Sequence, residues 1–222
     1  MNNETIDNIS LTEKVYLYLY DAILSGAYRP DKRLLVLDIS NELQLSQAPV
    51  REALERLKQE GLVNKEPNKS AVVSSVSINE IENIYQLREL LEGFAVKEAM
   101  KTIHSQDIEQ LYQIYGEMKA MTKLGDIFRL NELDMRFHTF FYERCGNALI
   151  LNIWKEISVK IIRFISHTNK IYFKNLEDVA ESHLSLIKVV ESGNVEKAGD
   201  LFSAHMKEVW WRIKKNDTFN HL

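Results

Sequence analysis

All three prolines of this chain lie in its first third, at Pro30, Pro49 and Pro67. Proline lacks a backbone N–H and clashes with the preceding turn, so it is rare in the interior of a helix. The stretch over residues 68–222 can therefore form long helices, whereas the first third must contain turns. A length of 222 residues is also sufficient for two domains of ordinary size. We predict a domain boundary between residues 1–75 and residues 76–222.

Composition indicates an ordinary soluble protein, with 45% hydrophobic and 27% charged residues. No stretch approaches the roughly 18 consecutive apolar residues of a membrane span. The N-terminus lacks the charged start and apolar run of a secretory signal. The single cysteine, Cys145, cannot form an internal disulfide. We expect a cytoplasmic protein without a membrane partner.

The charge of the chain argues against nonspecific coating of nucleic acid. The formal net charge is −4, and residues 1–75 carry −2 of it, so neither domain is basic. Phosphate neutralisation supplies nearly all of nonspecific affinity, and this chain has little positive charge to offer. A small DNA-binding domain that contacts DNA through a few well-placed side chains is still compatible with this charge.

The first domain is predicted to contain three short helices, over residues 11–25, 38–43 and 46–60. Ser46 can cap the third helix, and Pro49 falls in its first turn, where a missing N–H costs nothing. Two short β-rich runs on either side of Pro67 and Asn68 then predict a hairpin. Three helices followed by a hairpin is the order of a winged helix-turn-helix.

The third helix resembles that of the GntR family of bacterial regulators. It carries Pro-Val-Arg-Glu-Ala-Leu and then Glu-Gly-Leu-Val, within residues 45–63. In a helix-turn-helix the first turn of the second helix enters the major groove. The resemblance implies double-stranded DNA as a partner, contacted by Ser46, Gln47, Ala48, Pro49, Arg51, Asn68 and Lys69. In isolation the hexamer could instead be an amphipathic helix start with Arg51 on a solvated face.

Two departures from the family pattern affect the expected operator. Members that read DNA with this turn usually have Arg in place of Gln47 and Thr in place of Ala48. The wing usually carries a glycine, where this chain has Asn68 and Lys69. Because Gln pairs with adenine in the major groove, we expect an operator that differs from the family's common one.

The second domain is predicted to be an all-α antiparallel bundle of six helices, over residues 78–101, 105–123, 126–145, 147–168, 177–192 and 194–214. Four metal-type side chains interrupt its apolar stripes: Asp134, His138, His183 and His205. A buried Asp or His costs roughly several kcal/mol unless it is paired. A shared divalent cation such as Zn²⁺, Mn²⁺ or Ni²⁺ would satisfy all four. For any single histidine, a hydrogen bond to a backbone carbonyl is the simpler interpretation.

The same positions resemble the FCD domain of the FadR-like branch of the GntR family. The matching patterns are Asp134-x-x-Phe137-His138, His183-x-x-x-Ile187, and Ala198 with His205. The resemblance covers about residues 11–212. It implies a ligand-sensing domain, and many members of that branch bind a metal with one Asp and three His.

A small carboxylate is the expected effector, because four protein ligands leave open positions on an octahedral ion. An arginine would balance its charge. Arg88 is the first candidate, because it lies on an apolar stripe, although an ion pair with a glutamate of another helix would also explain it. Arg163 is the second candidate and rests mainly on its family position.

The predicted function is a homodimeric transcription regulator that binds an inverted-repeat operator and responds to the effector. Two alternatives stay open at this point. A metal-dependent hydrolase or oxygenase could use the same ligands, although no further general base stands at a recognisable spacing. A helical dimerisation module without a ligand would make the histidines purely structural.

Overall fold

The computed structural model describes residues 9–64, 69–172 and 175–215, and in residues 166–172 it describes the backbone only. The chain forms two compact units, Met1–Val76 and Ser77–Leu222. Among the described residues, no helix is both long enough and apolar enough to cross a membrane.

The described part of the first unit contains three helices and a three-stranded sheet. In chain order these are α1 (Leu11–Leu24), β1 (Arg33–Leu34), α2 (Val36–Glu42), α3 (Gln47–Gln59), β2 (Val63–Asn64) and β3 (Ala71–Val73). The inward stripe of α3, formed by Val50, Leu54 and Leu57, is fully buried. It packs against α1 and α2. The predicted winged helix-turn-helix architecture is confirmed.

Strand β1 was not expected from the sequence. The sheet order is β1-β3-β2 and both pairs are antiparallel, with Arg33 opposite Val72 and Val63 opposite Val73. A strand of two residues is too short to show the alternation by which strands are recognised. The predicted turn at Pro67 and Asn68 lies outside the described residues.

The second unit is the predicted helical bundle. Where the structure describes it, this unit has six helices: α4 (Ile78–Ala99), α5 (Ser105–Leu124), α6 (Ile127–Arg144), α7 (Ala148–Tyr172), α8 (Glu177–Glu191) and α9 (Val195–Lys215). Side-chain caps fix several of the helix starts, including those of α4 and α6. Ser77 accepts from the N–H of Glu80, and Asp126 accepts from the N–H of Arg129. Phe137, Phe141 and Phe202 meet in the centre of the core.

Helices α4 and α9 approach closely at two glycines. A Cβ atom added at Gly93 would lie 2.4 Å from Ser203 Oγ and 2.9 Å from the carbonyl oxygen of Gly199. Ser203 Oγ donates a hydrogen bond to the carbonyl of Glu89 at 2.8 Å, so it is held in place. This crossing positions two helices that carry site residues.

We predict that Gly93→Ala lowers the free energy of unfolding by about 1–3 kcal/mol, because the new methyl group overpacks the crossing. Gly116→Ala in α5 is the matched control, since a Cβ there meets nothing within 4 Å. The control should raise stability by up to about 1 kcal/mol through helix propensity. Urea unfolding of both variants measures the difference. Equal effects would show that the crossing is loosely packed.

Candidate functional site

Three imidazoles from three helices converge inside the helical unit. His138 of α6, His183 of α8 and His205 of α9 each offer one ring nitrogen, and these three atoms lie within 4.8 Å of one another. His138 and His183 are fully buried. Asp134 lies one turn before His138 and brings Oδ1 to 3.2 Å from His183 Nε2. All four residues predicted as ligands therefore lie in one cluster.

Hydrogen bonds fix which ring nitrogens carry protons. His183 Nδ1 lies 2.7 Å from the carbonyl oxygen of Val179, and His138 Nδ1 lies 3.0 Å from Glu92 Oε2. Both partners are acceptors, so in each neutral ring the Nδ1 atom is the donor. The Nε2 atoms of both rings are buried and make no hydrogen bond. In the neutral state, two bare imidazole lone pairs therefore remain inside the core.

The Asp134 carboxylate faces one of these lone pairs. Two acceptors at 3.2 Å repel each other, and either a cation or a second proton on His183 would relieve this. Burial alone raises the pKa of Asp134, but a hydrogen bond from His183, when its Nε2 atom carries a proton, and the nearby His138 and Arg88 lower that pKa below its ordinary value. Asp134 is thus a carboxylate at neutral pH.

His205 completes the cluster as a neutral ligand candidate. Burial, followed by the proximity of His183 and His138, lowers the pKa of His205 well below its ordinary value. Its ring centroid lies 5.2 Å from that of His183 and 5.8 Å from that of His138. A neutral imidazole has a lone pair to offer to a metal ion.

Behind His138 lies a buried charge network that the sequence analysis missed in part. Arg88 donates from Nε and Nη2 to Glu92 Oε1, at 3.1 and 2.8 Å. Both side chains are at most 2% exposed. The alternative considered for Arg88 was an ion pair with another helix, but its partner is one turn away on α4. The i, i+4 spacing of an Arg and a Glu on one apolar stripe was the signal available in the sequence.

This set of side chains fits a divalent metal ion. One carboxylate and three imidazoles are the ligand types that Zn²⁺ and neighbouring transition metals take. Glu92 accepting from the far nitrogen of His138 is the arrangement by which carboxylates orient metal-binding histidines. The backbone carbonyl of Val179 does the same for His183.

A cavity that opens to solvent lies beside the cluster. Its described lining includes Arg88 and all four predicted metal ligands. Arg163 is buried on α7 but is not among these lining residues. The geometry therefore places Arg88, and not Arg163, beside the predicted ligands.

In the first unit, the start of α3 offers most of the residues predicted to contact DNA. Ser46, Gln47, Ala48 and Arg51 are exposed. Ser46 precedes α3, and its side chain makes no capping hydrogen bond. Arg51 Nη2 donates to Gln47 Oε1 at 2.9 Å, so these two side chains form one polar surface.

The other residues predicted to contact DNA have different positions. Pro49 is buried, which suits a residue that shapes the helix start better than one that touches a ligand. Lys69 is exposed beside β3. Asn68 lies outside the described residues.

Comparison with known proteins identifies both units. Residues 83–208 match the FCD domain family, and residues 11–73 match the bacterial regulatory proteins of the gntR family. The first match spans more than half of the chain. This chain is a GntR-family regulator with an FCD domain. GntR regulators bind DNA, so α3 and the wing belong to a DNA-binding domain.

Relatives of this GntR-family regulator are themselves transcription regulators. McbR of Escherichia coli (strain K12) is 25% identical over 154 residues, which are 69% of this chain and 70% of McbR. LutR of Bacillus subtilis (strain 168) is 26% identical over 208 residues, covering 84% of this chain and 94% of LutR. The solved structure of E. coli McbR/YncC shares the fold, with a TM-score of 0.73 at 21% identity over 93% of this chain and 98% of that one. The chain is therefore a regulator and not an enzyme.

We predict that Glu92→Leu destabilises the FCD domain by about 3–5 kcal/mol, because it leaves the Arg88 guanidinium buried without a counter-ion. The double variant Arg88→Met with Glu92→Leu should recover much of this loss. Glu98→Leu removes a surface partner of Lys101 on the same helix and should cost about 1 kcal/mol or less. Chemical denaturation measures all three. A double variant no more stable than the single one would contradict this account.

Proposed function

We propose that this GntR-family regulator binds a divalent metal ion through Asp134, His138, His183 and His205. A small carboxylate coordinates the metal beside Arg88 and acts as the effector. The ion, when bound, supplies open coordination positions to the effector. The protein side chains orient the ion and the acid. Binding of the acid changes the affinity of the DNA-binding domain for its operator.

The observation that carries this proposal is the pair of bare Nε2 atoms of His138 and His183. A purely structural histidine would use both ring nitrogens or leave one in water, since an unsatisfied buried polar atom costs about 1–3 kcal/mol. Here both Nδ1 protons are committed to acceptors, and both lone pairs are enclosed beside a carboxylate. A cation at this point would satisfy all of them together.

We predict that purified protein retains about one equivalent of metal per chain and that His183→Ala loses it. His104→Gln, which removes an exposed imidazole outside the cluster, should retain the metal. Elemental analysis after extensive dialysis measures both. Wild-type protein that takes up no Zn²⁺, Mn²⁺ or Ni²⁺ would exclude the metal site and leave a ligand-free dimerisation domain as the better description.

Operator binding is proposed to depend on the polar surface at the start of α3. Arg51→Ala should weaken binding by about tenfold to a hundredfold, since one good bidentate contact is worth roughly 1–3 kcal/mol. Metal content should not change. Arg136→Ala in α6 removes the same charge from the other domain and should leave DNA affinity intact. The measurement is fluorescence anisotropy on a duplex that the wild-type protein selects from a random pool. Unchanged affinity in Arg51→Ala would refute this assignment.

We further propose a homodimer on an inverted repeat, because two-fold related reading helices match two-fold related half-sites. The effector would act by favouring one arrangement of the two DNA-binding domains. Operator affinity of the metal-loaded protein, measured with and without the bound carboxylate, tests this coupling. Equal affinities would rule it out.

A further inference from the structure

We infer that the effector is a monocarboxylate with an uncharged and largely apolar tail. This inference rests on the proposed metal and carboxylate site and specifies the chemical class of the acid. It follows from which charges around the cavity are already paired. It also follows from the kind of side chain that forms the cavity wall.

Among the described lining residues, the inner end of the cavity has charge for one carboxylate. Arg88 is a cation, but Glu92 offsets it at 2.8 Å in a site closed to water. Imidazoles are neutral when they ligate a metal. What remains is a divalent ion and the single negative charge of Asp134, a net charge of +1. One carboxylate neutralises this charge. A second would leave uncompensated negative charge in a buried site, which is costly.

The outer end of the cavity disfavours a second acid group. Among the described lining residues, the charged side chains nearer to solvent are Asp178 and Glu208, which are exposed, and Arg212, which is half-buried. Arg212 is already engaged, because its Nη2 donates to Glu208 Oε1 at 2.6 Å and its Nε donates to the same oxygen at 3.1 Å. Two acids and one paired base give this end a net negative charge. The distal carboxylate of a diacid would therefore be repelled.

The wall between the two ends is mainly apolar. The apolar side chains that line it are Ile165, Val179, Met206, Val209 and Ile213. Among the described lining residues, the uncharged polar side chains are Asn131, Ser182 and Tyr85. Ser182 Oγ already donates to the carbonyl of Val179 at 2.8 Å. A polyhydroxylated acid would bury hydroxyl groups against this wall with few partners, whereas an alkyl chain would gain from burial.

Three four-carbon acids separate these possibilities at constant chain length. Zinc-loaded protein, with metal content verified by elemental analysis, is titrated with butanoate, butanedioate and 2,3,4-trihydroxybutanoate. Binding is followed by calorimetry and by tryptophan fluorescence, since Trp210 stacks on Tyr85 of the cavity wall at 5.6 Å. We expect butanoate to bind about tenfold or more tightly than either of the other acids, because like charges and unpaired hydroxyls are each costly.

A variant at the outer end tests the cause of this preference. Glu208→Gln removes one negative charge and releases Arg212, so it should improve butanedioate binding by about threefold or more while changing butanoate binding by less than about twofold. Glu196→Gln is the matched control. It makes the same change on the same helix, at a residue that pairs with Lys97 and does not line the cavity. It should leave both affinities unchanged.

Each outcome decides the inference. The inference is supported if butanoate binds most tightly and if its preference over butanedioate becomes smaller in Glu208→Gln but not in Glu196→Gln. Butanedioate or the trihydroxy acid binding as tightly as butanoate overturns it while leaving the metal and carboxylate function standing. Zinc-loaded protein that binds none of the three acids overturns the carboxylate part of the proposed function as well. If the protein cannot be loaded with metal, the metal site itself is refuted, and the proposed function fails with it.

Discussion

The structure of the FCD domain depends on pairing ionisable side chains that have been removed from water. Arg88, Glu92, His138 and His183 are all at most 2% exposed. Each would be costly alone, because a buried charge or unsatisfied polar atom loses its hydration without compensation. Arg88 neutralises Glu92, Glu92 orients His138, and a backbone carbonyl orients His183. Among these four side chains, the Nε2 atoms of His138 and His183 are the polar atoms left without a hydrogen bond.

Close helix packing makes this convergence possible. Helix α4 carries Arg88 and Glu92, and α9 carries His205 and the charged pair at the outer end of the cavity. Their crossing at Gly93 and Gly199 has no room for further side-chain atoms. Aromatic packing then fixes the ring orientations, since Phe137 lies edge-on to His183 with centroids 4.7 Å apart. The four candidate ligands are thus placed by helices and not by loops, which suits a pre-formed site.

The DNA-binding domain carries little positive charge. Its net charge of −2 over residues 1–75 fits a domain that reads DNA through a few groups on one helix end. Gln47 and Arg51 are joined by a hydrogen bond, so each limits the conformations of the other before DNA is bound. Affinity of this kind depends on position more than on total charge, which is consistent with a regulator that must discriminate among sites.

The sequence by itself determined the helix order, the winged helix-turn-helix and the candidate ligands, because hydrophobic periodicity, proline and glycine positions and polar residues within apolar stripes are local properties. Tertiary structure decided what local patterns cannot encode. It brought Asp134 within reach of His183, removed the local pair of Arg88 and Glu92 from water, and placed Arg163 outside the cavity lining. It also added strand β1, which exists only through its pairing with β3. These features depend on contacts between distant segments, and only the folded chain brings such segments together.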